Sequence, residues 1–156
     1  MAQTSKHFSQ HNALTMWDHD PAVATALVTS PDGGTTQRWV DMALYEHFAV
    51  AALATIFGGA SGITLLEIVA ATDTSGTSIA QIVTSGAIDA DAIGDWAMVE
   101  CNAEQVRAVA VTNSTELRYV AARITCSDVG DEAVVAYIAT SPKQAAADLT
   151  AATTIS

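Results

Sequence analysis

Basic residues are scarce in this chain: Lys and Arg total six against 17 Asp and Glu, a formal net charge of −11 over 156 residues. Gripping a nucleic-acid backbone needs clustered cations that displace counterions, so this composition excludes a free nucleic-acid binder, and an anionic membrane surface with it. An acidic surface suits solubility at high concentration, or docking on a basic patch of a protein partner. Long apolar runs are missing too. The longest, FAVAALATIF, is too short to span a bilayer. No cationic stretch followed by an apolar one marks a signal peptide. Cysteine is limited to Cys101 and Cys126, each in a segment that reads as a strand. Buried free thiols of a protein made in a cytoplasm are the expectation, and no CxxC spacing suggests zinc.

Catalytic signatures are also wanting. There is no G-x-S-x-G elbow and no serine or cysteine with a placed base. Cys101 lies beside Glu100 in a half-buried strand, which makes an inert core thiol of it. FGGASG contains glycines but lacks the GK[ST] of a phosphate loop, and reads as a connection between strands. No cofactor is expected.

What is present is a chain in which 50% of residues are hydrophobic, with alanine and valine in excess. Small and β-branched residues suit tightly packed strands better than a large ligand cavity. Residues 1–20 are polar, show neither helical nor strand period, and end at Pro21. They read either as an N-terminal arm extended over a neighbour, with Phe8 and Trp17 as anchors, or as a disordered tail. From Ala22 onward, short apolar segments are punctuated by PDGG, GGASG, DTSG and GAIDADAIGD. Eight or nine short strands at this spacing predict an antiparallel β-sandwich or jelly-roll-like domain over 21–142, with an alanine-rich C-terminal tail over 143–156. Trp39, with Val40 beside it, is expected to face inward. HFAVAALATIF would also permit a helix, and EQVRAVAVTNST reads as a short helical turn or a strand with its loop.

The best-formed stretch is LRYVAARITCSDVGDEAVVAYIATSP, residues 117–142, which reads as a hairpin. Its first strand puts Leu117, Tyr119, Ala121 and Arg123 on one face, and Arg118, Val120, Ala122 and Ile124 on the other. Each face carries an arginine. A lone buried guanidinium is costly, so an outward position or a bridge from Arg118 or Arg123 to Asp41, Glu67 or a neighbouring subunit is expected.

Metal ligation has one patterned candidate. Asp89, Asp91, Gly94 and Glu100 stand at positions one, three, six and twelve of a calcium-loop pattern. Position five is Ile93, which has no side-chain oxygen, position eight is Trp96, and the flanks read as strands. A solvated acidic turn is the preferred reading. His7 and His11 have helical i, i+4 spacing but lie in the polar segment without a third ligand. WDHDP, residues 17–21, reads as a turn capped by Asp18 or Asp20.

Three pieces in order, QRWVDMALYEHFAV, LLEIVAATDTSG and LRYVAARIT with EAVVAYIATSP, resemble small β-sandwich structural proteins encoded among the head genes of tailed bacteriophages. The resemblance covers residues 37–142, leaving out the polar start and the alanine-rich end. It implies a non-enzymatic virion protein on the capsid exterior, a decoration or cement protein whose partners are the major capsid protein and copies of itself, a trimer being one form. A head-completion or tail-associated protein, and a carbohydrate-binding β-sandwich module, are the alternatives. For the last, Trp39, Trp96 and Tyr137 would have to share an outer face.

Overall fold

A computed structural model describes residues 13–19, 25–27, 39–56, 62–128 and 130–143. Among these, nine strands and one helix form: β1 (Ala13–His19), β2 (Thr25–Leu27), β3 (Val40–Asp41), β4 (Tyr45–Ile56), β5 (Ile63–Ala71), β6 (Ala80–Thr84), β7 (Trp96–Asn102), α1 (Ala103–Thr112), β8 (Tyr119–Cys126) and β9 (Glu132–Pro142). The expected sandwich is there. One sheet runs β1-β9-β4-β7, and the other runs β2-β8-β5-β6 with β3 also on β8. Every pairing is antiparallel. Setting aside the two-residue β3, the first strand pairs the last, the second pairs the next to last, and both pairs continue inward. That nested order is a jelly roll.

The alanine-rich run 45–56 is a strand because alternate residues have one face to bury. Phe48, Val50, Ala52 and Ala54 enter the core, while β7 and β9 occupy both edges. The run at 103–112 is helical instead. A capping box starts it: the Asn102 side chain accepts the Gln105 N–H (2.8 Å), and the Gln105 side chain accepts the Asn102 N–H (2.9 Å). Val106 is its deepest anchor.

The hairpin expected over 117–142 does not form. Its two strands are real, and 119–124 alternate as expected. Leu117 and Arg118, which precede β8, exchange sides, Leu117 joining Val120 in the core and Arg118 lying exposed over Tyr119. The two strands, β8 and β9, lie in opposite sheets. Between them the chain crosses the sandwich beside buried Asp131, which accepts the Ser127 hydroxyl (3.1 Å) and the Asp128 N–H (2.9 Å). Both edges of each strand are already taken, β8 by β5 and by β2 with β3, β9 by β1 and β4. The segment 1–20 also contributes to the sheet, since Ala13–His19 pairs along β9 as β1.

The core is filled by Phe48, Leu66, Ile68, Val120, Ile124, Val135 and Tyr137. Phe48 meets Tyr137 edge-to-face, with centroids 5.0 Å apart and rings at 83°. Among the described residues, β8 pairs with β2 as far as Leu27, facing Arg123, and with β3 from Val40, facing Val120. The Ala122 N–H donates to the hydroxyl of Tyr137 (2.6 Å), reaching over from the other sheet. Val40 joins this core as expected. Trp39 is buried elsewhere, on the outside of the second sheet against Val69, Ala71 and Ala121.

The DTSG turn closes between β5 and β6 on Asp73, whose carboxylate accepts the N–H groups of Ser75 (2.9 Å) and Thr77 (3.1 Å). Hydrogen bonds from Thr77, followed by those from Ser75 and Gly76, hold its carboxyl below the ordinary value of 3.8. A lowered folded-state value stabilises the turn above that pH and is lost as pH falls through it. The melting temperature of the wild type should therefore exceed that of Asp73→Asn at pH 6, with the gap closing toward pH ~3.

Candidate interaction face

The sequence-derived candidates fall in several separate places. Phe8, His7 and His11 lie outside the described residues. Trp17 is in β1 opposite Val135, so residues 17–19 are strand and not the turn that WDHDP suggests. Asp20 and Pro21 lie outside the described residues. Arg118 and Arg123 both find partners named from the sequence. Arg118 forms a two-pronged pair with Asp41, with Nε to Oδ1 at 2.8 Å, and lies over the ring of Tyr119 at 5.3 Å. Its bonds to the Asp41 carboxylate, then the charge of that group, raise its already high pKa. Arg123 Nε donates to Glu67 Oε2 (2.6 Å) on the outer side of the second sheet, where β5 and β8 set the two residues opposite each other.

The calcium-loop residues do not converge. Residues 92–95 form a turn in which Asp95 accepts the Ala92 N–H (3.2 Å), and Gly94, at φ +96°, donates to Ala54 O (3.0 Å). Glu100 is well along β7, opposite Ala49. Among the described residues, no three His, Cys, Asp or Glu groups could hold a metal ion. The thiols are in no state to attack. Burial, then the neighbouring Glu100, pushes Cys101 up to about 12, and burial, then Asp131, pushes Cys126 to about 11.

A different feature stands out, on the outer side of the first sheet. Seven large apolar side chains are exposed among the described residues, and five of them, Leu53, Ile56, Ile93, Trp96 and Met98, belong to neighbouring parts of β4, β7 and the turn before it. Trp96 is directly opposite Leu53, and Met98 opposite Ala51. The burial pattern is inverted here. Ala97, Val99 and Cys101 turn toward the protein, while Trp96, at 66% exposure, turns to water. Half-buried Val134, Ala136 and Ile138 of β9 continue the face past β4. Isolated exposed apolar side chains are ordinary, but a contiguous set of this size marks an interaction surface.

Carboxylates rim that face. Asp89 and Asp95 line a shallow depression of about 340 Å³ with Trp96 and Ile88. Asp91 and Glu100 are exposed nearby, and Glu132 faces Ile56 across the strands. No Lys or Arg occurs in residues 44–106. Of the four described basic residues, three are tied to carboxylates elsewhere: Arg118 to Asp41, Arg123 to Glu67 and Lys143 to Glu46. Sequence reasoning missed this face because strand period assigns residues to two sides without saying which side is covered. The legible signal was the order of sizes in WAMVEC, with bulky Trp96 and Met98 on one side and smaller residues on the other.

The other aromatics do not join Trp96. Tyr137 is in the core and Trp39 on the second sheet, so the three share no outer face. No helix among the described residues is long and apolar enough to cross a membrane.

No family model and no curated protein matches the chain. Among solved structures it is similar to dimeric latent PorU from Porphyromonas gingivalis, at 14% identity and a TM-score of 0.36, over 83% of this chain and 12% of that one. It is similar to the infectious bursal disease virus VP2 subviral particle at 10% identity and a TM-score of 0.37, over 82% of this chain and 30% of that one. Infectious bursal virus derived T=1 particles give 10% identity and a TM-score of 0.35, over 83% and 32%. The chain therefore spans less than a third of the length of each structure it is similar to.

Proposed function

We propose that this protein is a non-enzymatic component of a bacteriophage virion, a jelly roll that docks on the exterior of a shell built from a major capsid protein and stabilises it as a decoration or cement protein. The observation that carries the reading is the exposed apolar face of Leu53, Trp96 and Met98 on a domain whose interior is filled by side chains. A sealed core leaves the outer surface to do the work. A rigid sheet keeps docking geometry fixed, and repetition over a shell multiplies weak contacts through effective concentration. Copies of the chain meeting one another on the shell belong to the same reading.

The test is to add the purified chain to particles that lack it and image them. Wild type should add density at regular exterior positions. Trp96→Ala should bind about 30-fold more weakly, the loss typical of a central interface aromatic. Its stability should change by no more than ~0.5 kcal/mol, because the side chain is exposed. Particles that look the same with and without the chain would exclude the role.

A carbohydrate-binding module is the second reading, favoured by Trp96 beside Asp89 and Asp95 in one depression. A tryptophan face stacks on sugar rings while carboxylates accept hydroxyl hydrogen bonds. Titration with oligosaccharides separates the two readings, since sugar binding that Trp96→Ala abolishes would favour the module.

A further inference from the structure

We infer that the face centred on Trp96 receives a basic protein surface, one with an apolar centre flanked by lysine or arginine, and that it does not pair with a second copy of this chain. The inference rests on the proposed docking role and specifies the chemistry of the partner.

The argument is one of charge. The apolar centre, Leu53, Ile56, Ile93, Trp96 and Met98, would satisfy any apolar counterpart. Its surroundings are more selective. Asp89, Asp91, Asp95, Glu100 and Glu132 lie around it, and the stretch 44–106 that builds most of it holds no Lys or Arg to offset them. Three of the four described Lys and Arg residues are committed elsewhere, Lys143 to Glu46, Arg123 to Glu67 on the other sheet, and Arg118 to Asp41. The fourth, Arg107, is on α1 beyond the far end of β7.

In a two-fold pairing of this face, each patch meets its own copy. One set of carboxylates would then be pressed against an equivalent set, within the ~8 Å over which physiological salt leaves charges unscreened. With a net charge of −11, and three of the four described Lys and Arg residues tied to carboxylates, the chain has few cations to relieve this. A basic rim on a different protein turns the same charges from a penalty into a guide. Complementary potentials accelerate encounter and fix orientation, while the apolar centre supplies the holding energy.

The prediction is tested with two fluorescein-labelled strand peptides, one alternating leucine with lysine and the other leucine with glutamate, titrated against the full chain and followed by anisotropy. The lysine peptide should bind, and the glutamate peptide should not. Raising salt from about 0.1 M to about 1 M, which shortens the screening length from ~10 to ~3 Å, should weaken binding at least tenfold. Trp96→Ala should weaken it by a similar factor. The triple variant Asp89→Asn, Asp91→Asn, Glu100→Gln leaves the turn bond of Asp95 intact, and should remove most of the salt dependence. Lysine-peptide binding that neither variant alters would overturn the inference by placing the contact elsewhere. So would sedimentation showing a wild-type dimer that Trp96→Ala dissolves. These outcomes are separable from the docking role. If Trp96→Ala lowers particle occupancy but the peptides show no charge preference, docking stands and the basic partner fails.

Discussion

Tyr137→Ala is expected to destabilise the protein by about 3–5 kcal/mol, the range for removing a large aromatic from a close-packed core. The side chain does three things at once. It fills the space between the sheets, meets the edge of Phe48 at 5.0 Å, and takes the Ala122 N–H across the sandwich at 2.6 Å. Tyr137→Phe separates these roles. It keeps the ring and orphans one buried N–H, which costs about 1–3 kcal/mol. Urea unfolding measures both variants. If Tyr137→Phe matched wild type within ~0.5 kcal/mol, the hydroxyl would not be the acceptor on which the buried Ala122 N–H depends. The ordering of the two variants should hold whatever their absolute values, because one loses an acceptor and the other loses a ring as well.

Arg123→Ala is expected to cost about 3 kcal/mol, and Arg118→Ala less than ~1 kcal/mol, although both arginines pair with a carboxylate at hydrogen-bond distance. Burial decides the difference. The Glu67 side chain is 6% exposed, so losing Arg123 strands a carboxylate between β6 and β8. The cost sits at the low end of the usual 3–5 kcal/mol because the Arg123 side chain is itself 32% exposed and water can partly replace it. The Arg118 side chain is 53% exposed, and both it and Asp41 can be solvated apart. Exchanging both members of the buried pair for Leu and Met should restore much of the loss, since apolar substitutes of similar volume avoid desolvating charges. Equal costs for the two arginines in thermal unfolding would contradict this account.

Much of this architecture can be read from local pattern, and the limit of that reading is specific. Turn signals mark the ends of β5 and β6, and the alternation in RYVAARIT places Val120, Ala122 and Ile124 inward. Asp41 and Glu67 could be named as arginine partners because a guanidinium on a sheet needs an acid and this chain is rich in acids. Strand partnership was another matter. Period two tells which face a residue occupies, whereas whether β8 turns back on β9 or crosses to the other sheet depends on what else claims its edges. The turn 127–131 looks like a hairpin loop in sequence, and only the buried position of Asp131 shows that it bridges layers. The same limit explains the reading of 1–20 as an arm. Ala13–His19 has no strong alternation, and its place in the sheet comes from the edge that β9 presents. The helix at 103–112 is ambiguous in sequence because Val106, Val109 and Val111 suit a strand equally well, and the cap from Asn102 and Gln105 decides it. The exposed face of β7 needed knowledge of which sheet surface is left uncovered.

The pairing of β1 with β9 has a consequence for handling the molecule. Ala13 lies opposite Ala139, so the chain enters β1 and leaves β9 at the same end of the sheet. Leu53, which faces Trp96, lies opposite Val134, at the other end of β9. The five steps from Val134 to Ala139 span about 17 Å at the rise of an antiparallel strand. Cargo fused before β1 or after β9 is thus attached at the end of β9 away from Trp96, and the two attachment points are neighbours. That geometry suits a display scaffold, with the load carried apart from Trp96.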